Sequence, residues 1–396
     1  MTDHSFRHPS RRQFIRGSVL GALGLAGAAL IGCSDDGDDE TATATRAATE
    51  PPATATQAAT QAATQAATEA AAATEAPAPL VELFAFSNSS PHISVIDTAT
   101  NTITRTADVP DFTSWTWNDD NNYIDGSLLW LGTKDRDTNE VTIITLDLDS
   151  LEVTNRIPVG VDPQNVYIGK ALADRSIVHI GLQGSGRVVA INPATFEVIA
   201  DWGDVPLGSG SDGVVCDADI SIGSDGVERF VYPTRAGDSI VTLDPRTGET
   251  LMEVATPSGS VPLMLSTAPD GRIWVQDTGS KTNSVFDPVD LAELARFPAG
   301  EGPIVAAFSP DGALAYIGHS GDTMFQVIDT ETYDEVARVT VGTNPQKLAV
   351  HPDGTRVYAI VTKEAAMAVI DTATWEVDER IMLGTNPTTA FVRTVA

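Results

Sequence analysis

Residues 301–384 contain two copies of one 42-residue sequence, and this repeat constrains the fold more than any other feature of the chain. Pro310-Asp311-Gly312 returns as Pro352-Asp353-Gly354, and Val327-Ile328-Asp329-Thr330 returns as Val369-Ile370-Asp371-Thr372. A period of roughly 20–50 residues indicates small units that cannot bury their apolar surface alone. The chain must therefore fold as a stack or a ring of such units.

Each repeat reads as four short strands and contains no segment with helical periodicity. In the second copy the strands are expected at 348–350, 357–361, 368–370 and 376–383. Pro-Asp-Gly separates the first two, because proline fixes φ, aspartate bonds its own backbone and glycine accepts a positive φ. Four antiparallel strands of this length form one blade of a β-propeller.

The repeat resembles the YVTN family of β-propeller repeats, closely over 301–387 and more loosely over 80–300. The shared motifs are Pro-Asp-Gly, Val-Ile-Asp-Thr and Val-Gly-Thr-Asn-Pro. The tetrapeptide that names the family is absent, since the second strands read Ala315-Tyr316-Ile317-Gly318 and Val357-Tyr358-Ala359-Ile360. The resemblance implies a propeller fold and no particular activity.

The number of blades follows from a polar residue that ends each third strand. Seven such anchors occur, 42–52 residues apart: Asp97, Asp147, Asn192, Asp244, Asp287, Asp329 and Asp371. We therefore predict an all-β fold, a seven-bladed propeller of four-stranded antiparallel blades over 80–396. No inner strand precedes Val81, so the C-terminal segment 388–395 is expected to complete blade 1 and close the ring. A frayed C-terminal tail is the alternative.

An aromatic residue often follows the anchor by four positions. Examples are Phe196, Tyr333 and Trp375. Because the position repeats with the structural unit, we predict packing between blades and not a ligand cage.

The N-terminal 32 residues are predicted to be a twin-arginine lipoprotein signal peptide. Arg11 and Arg12 form the arginine pair, and the apolar run 17–32 is shorter than the roughly 20 residues of a spanning helix. The run ends in Leu30-Ile31-Gly32-Cys33, which looks like a lipobox and implies a diacylglycerol on Cys33. An uncleaved anchor helix is the alternative. Either interpretation predicts an exported protein, tethered to the cell membrane or envelope and facing the periplasm or the cell exterior.

Residues 33–79 are predicted to be a disordered linker rich in alanine, threonine and proline, because they hold almost no large apolar side chain. The formal net charge of the whole chain is −30. Such a charge repels nucleic acid and anionic headgroups, so no nucleic-acid partner is predicted.

Few residues suggest chemistry. Cys216 lies in an apolar run and is expected to be a buried thiol, and the sequence lacks the usual phosphate-loop, serine-hydrolase and zinc-protease motifs. Asp135, Asp137 and Asn139 are spaced like the start of a calcium loop, but Glu140 and Leu146 stand where its glycine and bidentate glutamate belong. A solvated hairpin turn is the favoured interpretation, calcium is the alternative, and no other cofactor is predicted.

Recognition is predicted at the connections from each outer strand to the next inner strand. These connections differ between blades, whereas the Pro-Asp-Gly and Asp-x-x-Thr turns on the opposite face repeat. The connections offer only acceptors and amides, which favours a cationic or hydroxyl-rich ligand or a basic protein patch. Capping of strand ends is the alternative role. The residues are Asp162, Gln164, Asn165, Asp212, Glu301, Asn344 and Asn386.

The leading functional interpretation is a lipid-anchored, non-catalytic propeller that binds a protein or small molecule. One alternative is an enzyme or oxidoreductase subunit, lactonase-like or associated with a quinone or haem. Another is a structural module of the cell surface. The sequence contains no matched acid–base or nucleophile set that would favour the enzyme.

Overall fold

The computed structural model describes residues 79–88, 92–109, 114–115, 127–164, 166–203 and 217–395. These residues form seven four-stranded antiparallel sheets, which are the blades of one ring. The predicted all-β, seven-bladed propeller is therefore confirmed. The described residues contain no helix whose length and hydropathy would allow it to cross a membrane.

Every blade has an inner, a second, a third and an outer strand, and the strands of each blade are named in that order. Blade 1 comprises β28 (Pro387–Thr394), β1 (Val81–Ser87), β2 (His92–Asp97) and β3 (Thr102–Asp108); blade 2, β4 (Ser114–Trp115), β5 (Leu128–Lys134), β6 (Glu140–Asp147) and β7 (Val153–Val161); blade 3, β8 (Val166–Ile168), β9 (Val178–Leu182), β10 (Arg187–Asn192) and β11 (Glu197–Trp202); blade 4, β12 (Asp219–Ile222), β13 (Glu228–Thr234), β14 (Ser239–Leu243) and β15 (Thr250–Ala255). Blade 5 comprises β16 (Pro262–Thr267), β17 (Ile273–Asp277), β18 (Thr282–Phe286) and β19 (Glu293–Pro298); blade 6, β20 (Pro303–Phe308), β21 (Leu314–His319), β22 (Met324–Asp329) and β23 (Glu335–Thr340); blade 7, β24 (Pro345–Val350), β25 (Arg356–Val361), β26 (Ala366–Asp371) and β27 (Val377–Met382).

The ring has two faces, which follow from the alternating direction of the strands. The turns from first to second strand and from third to fourth strand lie on one face, which we call the turn face. The turns from second to third strand and the links between blades lie on the other, which we call the connection face.

The C-terminal strand closes the ring. β28 pairs antiparallel with β1 from Val81↔Thr394 to Ser87↔Pro387, so the last strand of the chain is the inner strand of the first blade. Phe391 on β28 stacks on Phe84 of β1 with ring centroids 4.9 Å apart. The predicted closure is confirmed, and it gives blade 1 its fourth strand.

The anchors have a local hydrogen-bonding role. In every blade the anchor's side-chain oxygen accepts a backbone N–H bond from the residue two positions later, as in Asp329 with Glu331 (2.9 Å) and Asp371 with Ala373 (2.8 Å). Backbone hydrogen bonds of this kind lower the pKa of both carboxyls. The side chain thus fixes the tight turn into the outer strand.

The residue four positions after the anchor has a positive φ in all seven blades. Where it is aromatic it packs on the second strand of the preceding blade: Phe196 on Trp130, Tyr333 on Trp274 and Trp375 on Tyr316, with centroids 5.9–6.1 Å apart. The left-handed conformation turns the side chain out of its own blade. The predicted inter-blade packing of these three aromatics is confirmed.

Candidate functional site

Asp162, one of the predicted recognition residues, is fully buried. Its carboxylate accepts bonds from the backbone N–H groups of Gln164 (2.8 Å), Gly184 (2.9 Å) and Ser185 (2.8 Å), and from the Ser185 hydroxyl (2.9 Å). It therefore ties the link before blade 3 to the second-to-third turn of the same blade. Four donors occupy the carboxylate, which is the capping role considered for these residues.

Gln164 and Asn344 also lie at the connection face. The backbone carbonyl of Gln164 accepts a 2.6 Å bond from Lys134 Nζ. Asn344 is buried, has a φ of 67°, and its backbone N–H bonds the carbonyl of Asp322 at 2.9 Å. Both residues thus contribute backbone groups that hold the links in place.

Glu301 and Asn386 are the exposed members of the predicted set. Glu301 pairs with Lys281 Nζ at 2.6 Å, and the carbonyl of Asn386 accepts a bond from Asn88 at 2.9 Å. The remaining two members, Asn165 and Asp212, lie outside the described residues. So do Arg11, Arg12, Cys33 and Cys216.

The acidic run after β5 forms a hairpin turn. Asp135 Oδ1 accepts the backbone N–H groups of Asp137 (2.8 Å) and Thr138 (2.9 Å), and Asn139 takes a φ of 60°. The described residues contain no group of three or more His, Cys, Asp or Glu side chains that could hold a metal ion. Oδ1 of Asp135 therefore holds the turn, as the hairpin interpretation expects.

Buried side chains from the inner strands of three blades form a cluster inside the ring. Tyr167 of blade 3, Met264 of blade 5, and Ile304 and Val305 of blade 6 belong to one buried cluster, which we call the plug. Blades 3 and 5 are not neighbours in the ring, so these side chains meet across the axis.

One residue further along the inner strands, a cavity of about 550 Å³ begins, which we call the cup. Its wall starts at Ile168, Leu265 and Ala306. In the sequence these directly follow the plug residues Tyr167, Met264 and Val305. Pro310 and Pro352, which belong to first-to-second turns, line its rim and are exposed. The cup therefore opens on the turn face, opposite to the face where recognition was predicted.

Polar side chains from three consecutive blades meet in one wall of the cup. Lys170 Nζ lies 2.9 Å from Asp219 Oδ2 and 3.0 Å from Thr267 Oγ1. The Thr267 backbone N–H (3.1 Å) and hydroxyl also bond Asp219 Oδ2, and Ile220 N–H bonds Oδ1 at 2.8 Å. This Lys170–Asp219–Thr267 cluster links blades 3, 4 and 5.

Apart from Thr394 on β28, the side chains of the rest of the wall are apolar. Blades 6, 7 and 1 contribute small and large hydrophobic side chains: Ala306, Ala307, Phe308, Leu348, Ala349, Val350, Phe391 and Val392. The described residues that line the cup include no histidine, cysteine or glutamate. The cup thus offers hydrogen bonds on one side and an apolar surface on the other.

The histidines are used elsewhere. His179 is fully buried between blades 3 and 4, where Nε2 donates to the carbonyl of Pro245 at 2.6 Å and burial lowers its pKa to about 4. His319 Nε2 accepts the backbone N–H of Gly300 at 3.0 Å. His351 Nδ1 lies 2.6 Å from Asp353. These rings do not converge on one site.

Sequence reasoning missed Lys170, Asp219 and Thr267. Blades 3 and 4 depart most from the repeat, so their inner strands could not be aligned by motif. The usable signal was the alternation Asp217-Ala218-Asp219-Ile220, because charged residues are rare within an inner strand.

No protein-family model matches the chain, and no curated protein matches it. The chain is similar in structure to the periplasmic gluconolactonase of Pseudomonas aeruginosa, with 17% identity, a TM-score of 0.64, and coverage of 80% of this chain and 100% of that one. It is also similar to a putative 6-phosphogluconolactonase from Bacteroides uniformis, with 14% identity, a TM-score of 0.62, and coverage of 79% of this chain and 99% of that one. A third similar structure is the dihydro-haem d1 dehydrogenase NirN, with 15% identity, a TM-score of 0.52, and coverage of 78% of this chain and 65% of that one. At these identities the likeness shows the propeller fold.

Proposed function

We propose that this protein is an exported, lipid-anchored propeller that binds a small molecule in the cup. The observation that carries the proposal is a cavity of about 550 Å³ inside the ring, with one polar wall and one largely apolar wall. Small-molecule sites in proteins typically have volumes of about 300–1,000 Å³, mostly apolar linings and a few placed polar groups.

Binding without catalysis is supported by the hydrogen bonds that Asp219 accepts from its own protein. Its two oxygens accept bonds from Lys170, Ile220 and Thr267, and Thr267 contributes two donors. These four hydrogen bonds tie blades 3, 4 and 5 together and give the carboxylate a structural role. Among the described residues that line the cup, Asp219 is the only carboxylate and there is no histidine, so this part of the chain offers no carboxylate or imidazole base outside the hydrogen-bonded cluster.

The second candidate is a lactonase, favoured by the names of two similar structures. A lactonase would need a group in or near the cup that activates water. A third role, a structural module of the cell surface, would require neither binding nor hydrolysis.

The cellular location of the protein is proposed from the sequence alone. The twin-arginine motif at Arg11 and Arg12 and the lipobox before Cys33 support export and lipidation. The repeat motifs support membership in the YVTN family. Cys33→Ser should yield a precursor that partitions differently from the mature protein in detergent phase separation, and identical partitioning would contradict the anchor.

The binding proposal is tested on the full mature chain by thermal-shift titration with a panel of small molecules. The panel contains sugars, cyclitols, sugar acids, amino sugars and short fatty acids. Val350→Trp should fill the half-buried wall of the cup and abolish any shift, whereas Glu301→Ala on the connection face should keep it.

Binding that survives Val350→Trp would place the site elsewhere and refute the proposal. Hydrolysis of D-glucono-1,5-lactone by the wild type, lost in Val350→Trp, would favour the lactonase instead.

A further inference from the structure

The two walls of the cup differ in chemistry at two successive levels of the ring. The inner strands are aligned by their pairing: Thr267↔Ile273, Phe308↔Ala315 and Val350↔Val357 are equivalent pairs. At this level blade 3 contributes Lys170 and blade 5 Thr267. Blades 6, 7 and 1 contribute side chains without polar atoms: Phe308, Val350 and Val392.

The next level towards the plug divides in the same way. Blades 4 and 5 contribute Asp219 and Ser266. Blades 6, 7 and 1 contribute Ala307, Ala349 and Phe391. Because the division repeats at both levels, the polar wall spans blades 3–5 and the apolar wall spans blades 6, 7 and 1. A bound molecule would meet both surfaces at once.

The polar wall contains one positive and one negative group in contact. Lys170 Nζ lies 2.9 Å from Asp219, so their charges largely compensate each other. An anion would meet Asp219 behind the ammonium and also the overall charge of −30. A cation would be repelled by Lys170, whose side chain is 41% exposed. The wall therefore favours a molecule without net charge.

The groups of the polar wall suit hydroxyl groups. Lys170 is a donor, the Ser266 hydroxyl can donate, and Thr267 Oγ1, whose hydrogen is bonded to Asp219, can accept. Ser266 Oγ accepts the Ala306 backbone N–H at 3.2 Å, which orients its oxygen. Several neighbouring donors and acceptors match a row of ligand hydroxyls better than a single polar head.

We infer that the cup takes an uncharged polyhydroxylated ring, a sugar or a cyclitol, bound by its hydroxyl edge to Lys170, Ser266 and Thr267. The C–H face of the ring lies against the apolar wall that includes Phe308 and Phe391. This inference rests on the proposed function, since it names the ligand class of the same cavity.

The test compares matched probes of different charge by isothermal titration of the full mature chain. D-glucose and myo-inositol are the neutral probes, D-gluconate is the anion and D-glucosamine is the cation. At least one neutral probe should bind at least tenfold more tightly than both charged probes. Lys170→Arg should keep this order. Lys170→Met, which leaves Asp219 uncompensated, should weaken neutral binding and favour D-glucosamine.

Lys170→Gln/Asp219→Asn keeps the wall neutral and should keep the preference, which covers the case that Lys170→Met does not fold. Tighter binding of D-gluconate, D-glucosamine or a short fatty acid, abolished by Val350→Trp, would overturn the ligand class and leave the binding function standing. If no probe of the whole panel binds in the cup, both the class and the binding function are wrong.

Discussion

The indole of Trp202, on the outer strand of blade 3, fills the space that a Cβ atom on Gly248 of blade 4 would need. Gly248 is the residue four positions after the anchor Asp244, with a φ of 74°. In three other blades this position carries Phe196, Tyr333 or Trp375, which pack on the preceding blade. Between blades 3 and 4 the aromatic group comes from the opposite side, and glycine leaves room for it.

Gly248→Ala is therefore expected to destabilise the protein for two reasons. A left-handed conformation costs a residue with a side chain about 1–2 kcal/mol, and the new methyl group overlaps the Trp202 ring, which adds about 1–3 kcal/mol of overpacking. Denaturant unfolding should show a loss of roughly 2–5 kcal/mol. Gly226→Ala is the matched control, because Gly226 has a φ of 71° and no atom within 4 Å of the added Cβ. Equal losses in both variants would contradict the role of Trp202.

The contrast between Gly248 and Trp375 shows what sequence reasoning can reach. The anchors and the aromatics after them predicted seven blades and the packing of Trp375, because each repeat must solve the same turn in the same way. A glycine in the equivalent position carries no such signal, since its role depends on Trp202 in another blade. The amino-acid pattern is local, while this contact is set by tertiary packing.

The same reasoning explains why the cup was missed. The plug combines Tyr167 and Met264 from blades that are not neighbours, and nothing in either strand predicts that they belong to one cluster. Asp162 shows the limit of arguing from variable loops. Its variation between blades predicted a role in recognition, but its carboxylate accepts four hydrogen bonds from neighbouring groups of the protein. Variation between repeats thus marks recognition only after local hydrogen bonding has been accounted for.

Ring closure should be essential for stability. Deleting residues 386–396 removes the whole of β28, leaves the inner edge of β1 unpaired and uncovers Phe84. We expect the melting temperature to fall by tens of degrees, or folding to fail, as measured by circular dichroism. A deletion of equal length inside the predicted linker serves as the control. Similar melting of both shortened chains would show that closure contributes little.

Two amides buried in blade 5 provide a second packing test. Gln276 and Asn283 face each other across β17 and β18, are fully buried, and none of their four side-chain amide atoms has a hydrogen-bond partner among the described residues. Each lies two residues along its strand from a member of the apolar cluster between blades 5 and 6, Trp274 or Val285. Alternation places both amides on that same interface.

Replacing both amides with apolar side chains of similar size should cost little, because no protein hydrogen bond is lost. Gln276→Met/Asn283→Leu is expected to match or exceed the wild type in free energy of unfolding. Gln326→Met is the control: its amide donates to Glu335 at 2.6 Å and to the Pro298 carbonyl at 3.3 Å, so its loss should cost about 1–3 kcal/mol. A double variant less stable than the control would show that buried waters bind the pair strongly.

His179 should make the stability of the ring depend on pH between about 4 and 6.5. The ring is fully buried between Trp202 and Phe230, and burial lowers its pKa from 6.5 to about 4 although the Pro245 carbonyl favours the charged form. The unfolded chain therefore binds a proton in this window that the folded protein does not, so acid favours unfolding. The stabilisation that neutral, buried His179 gives the folded protein is present in full above pH 6.5 and is lost as the pH falls towards 4.

Between pH 7 and pH 5 this histidine alone should lower the free energy of unfolding by about 2 kcal/mol. Burial also lowers the pKa of His319, which acts in the same direction. His179→Gln keeps an N–H donor for the Pro245 carbonyl and cannot be protonated. The free energy of unfolding of this variant should therefore fall less between pH 7 and pH 5 than that of the wild type, by about 2 kcal/mol. The measurement is urea unfolding of both proteins at pH 7 and pH 5. An unchanged drop in the variant would mean that His179 titrates normally and that the contact between blades 3 and 4 opens to water.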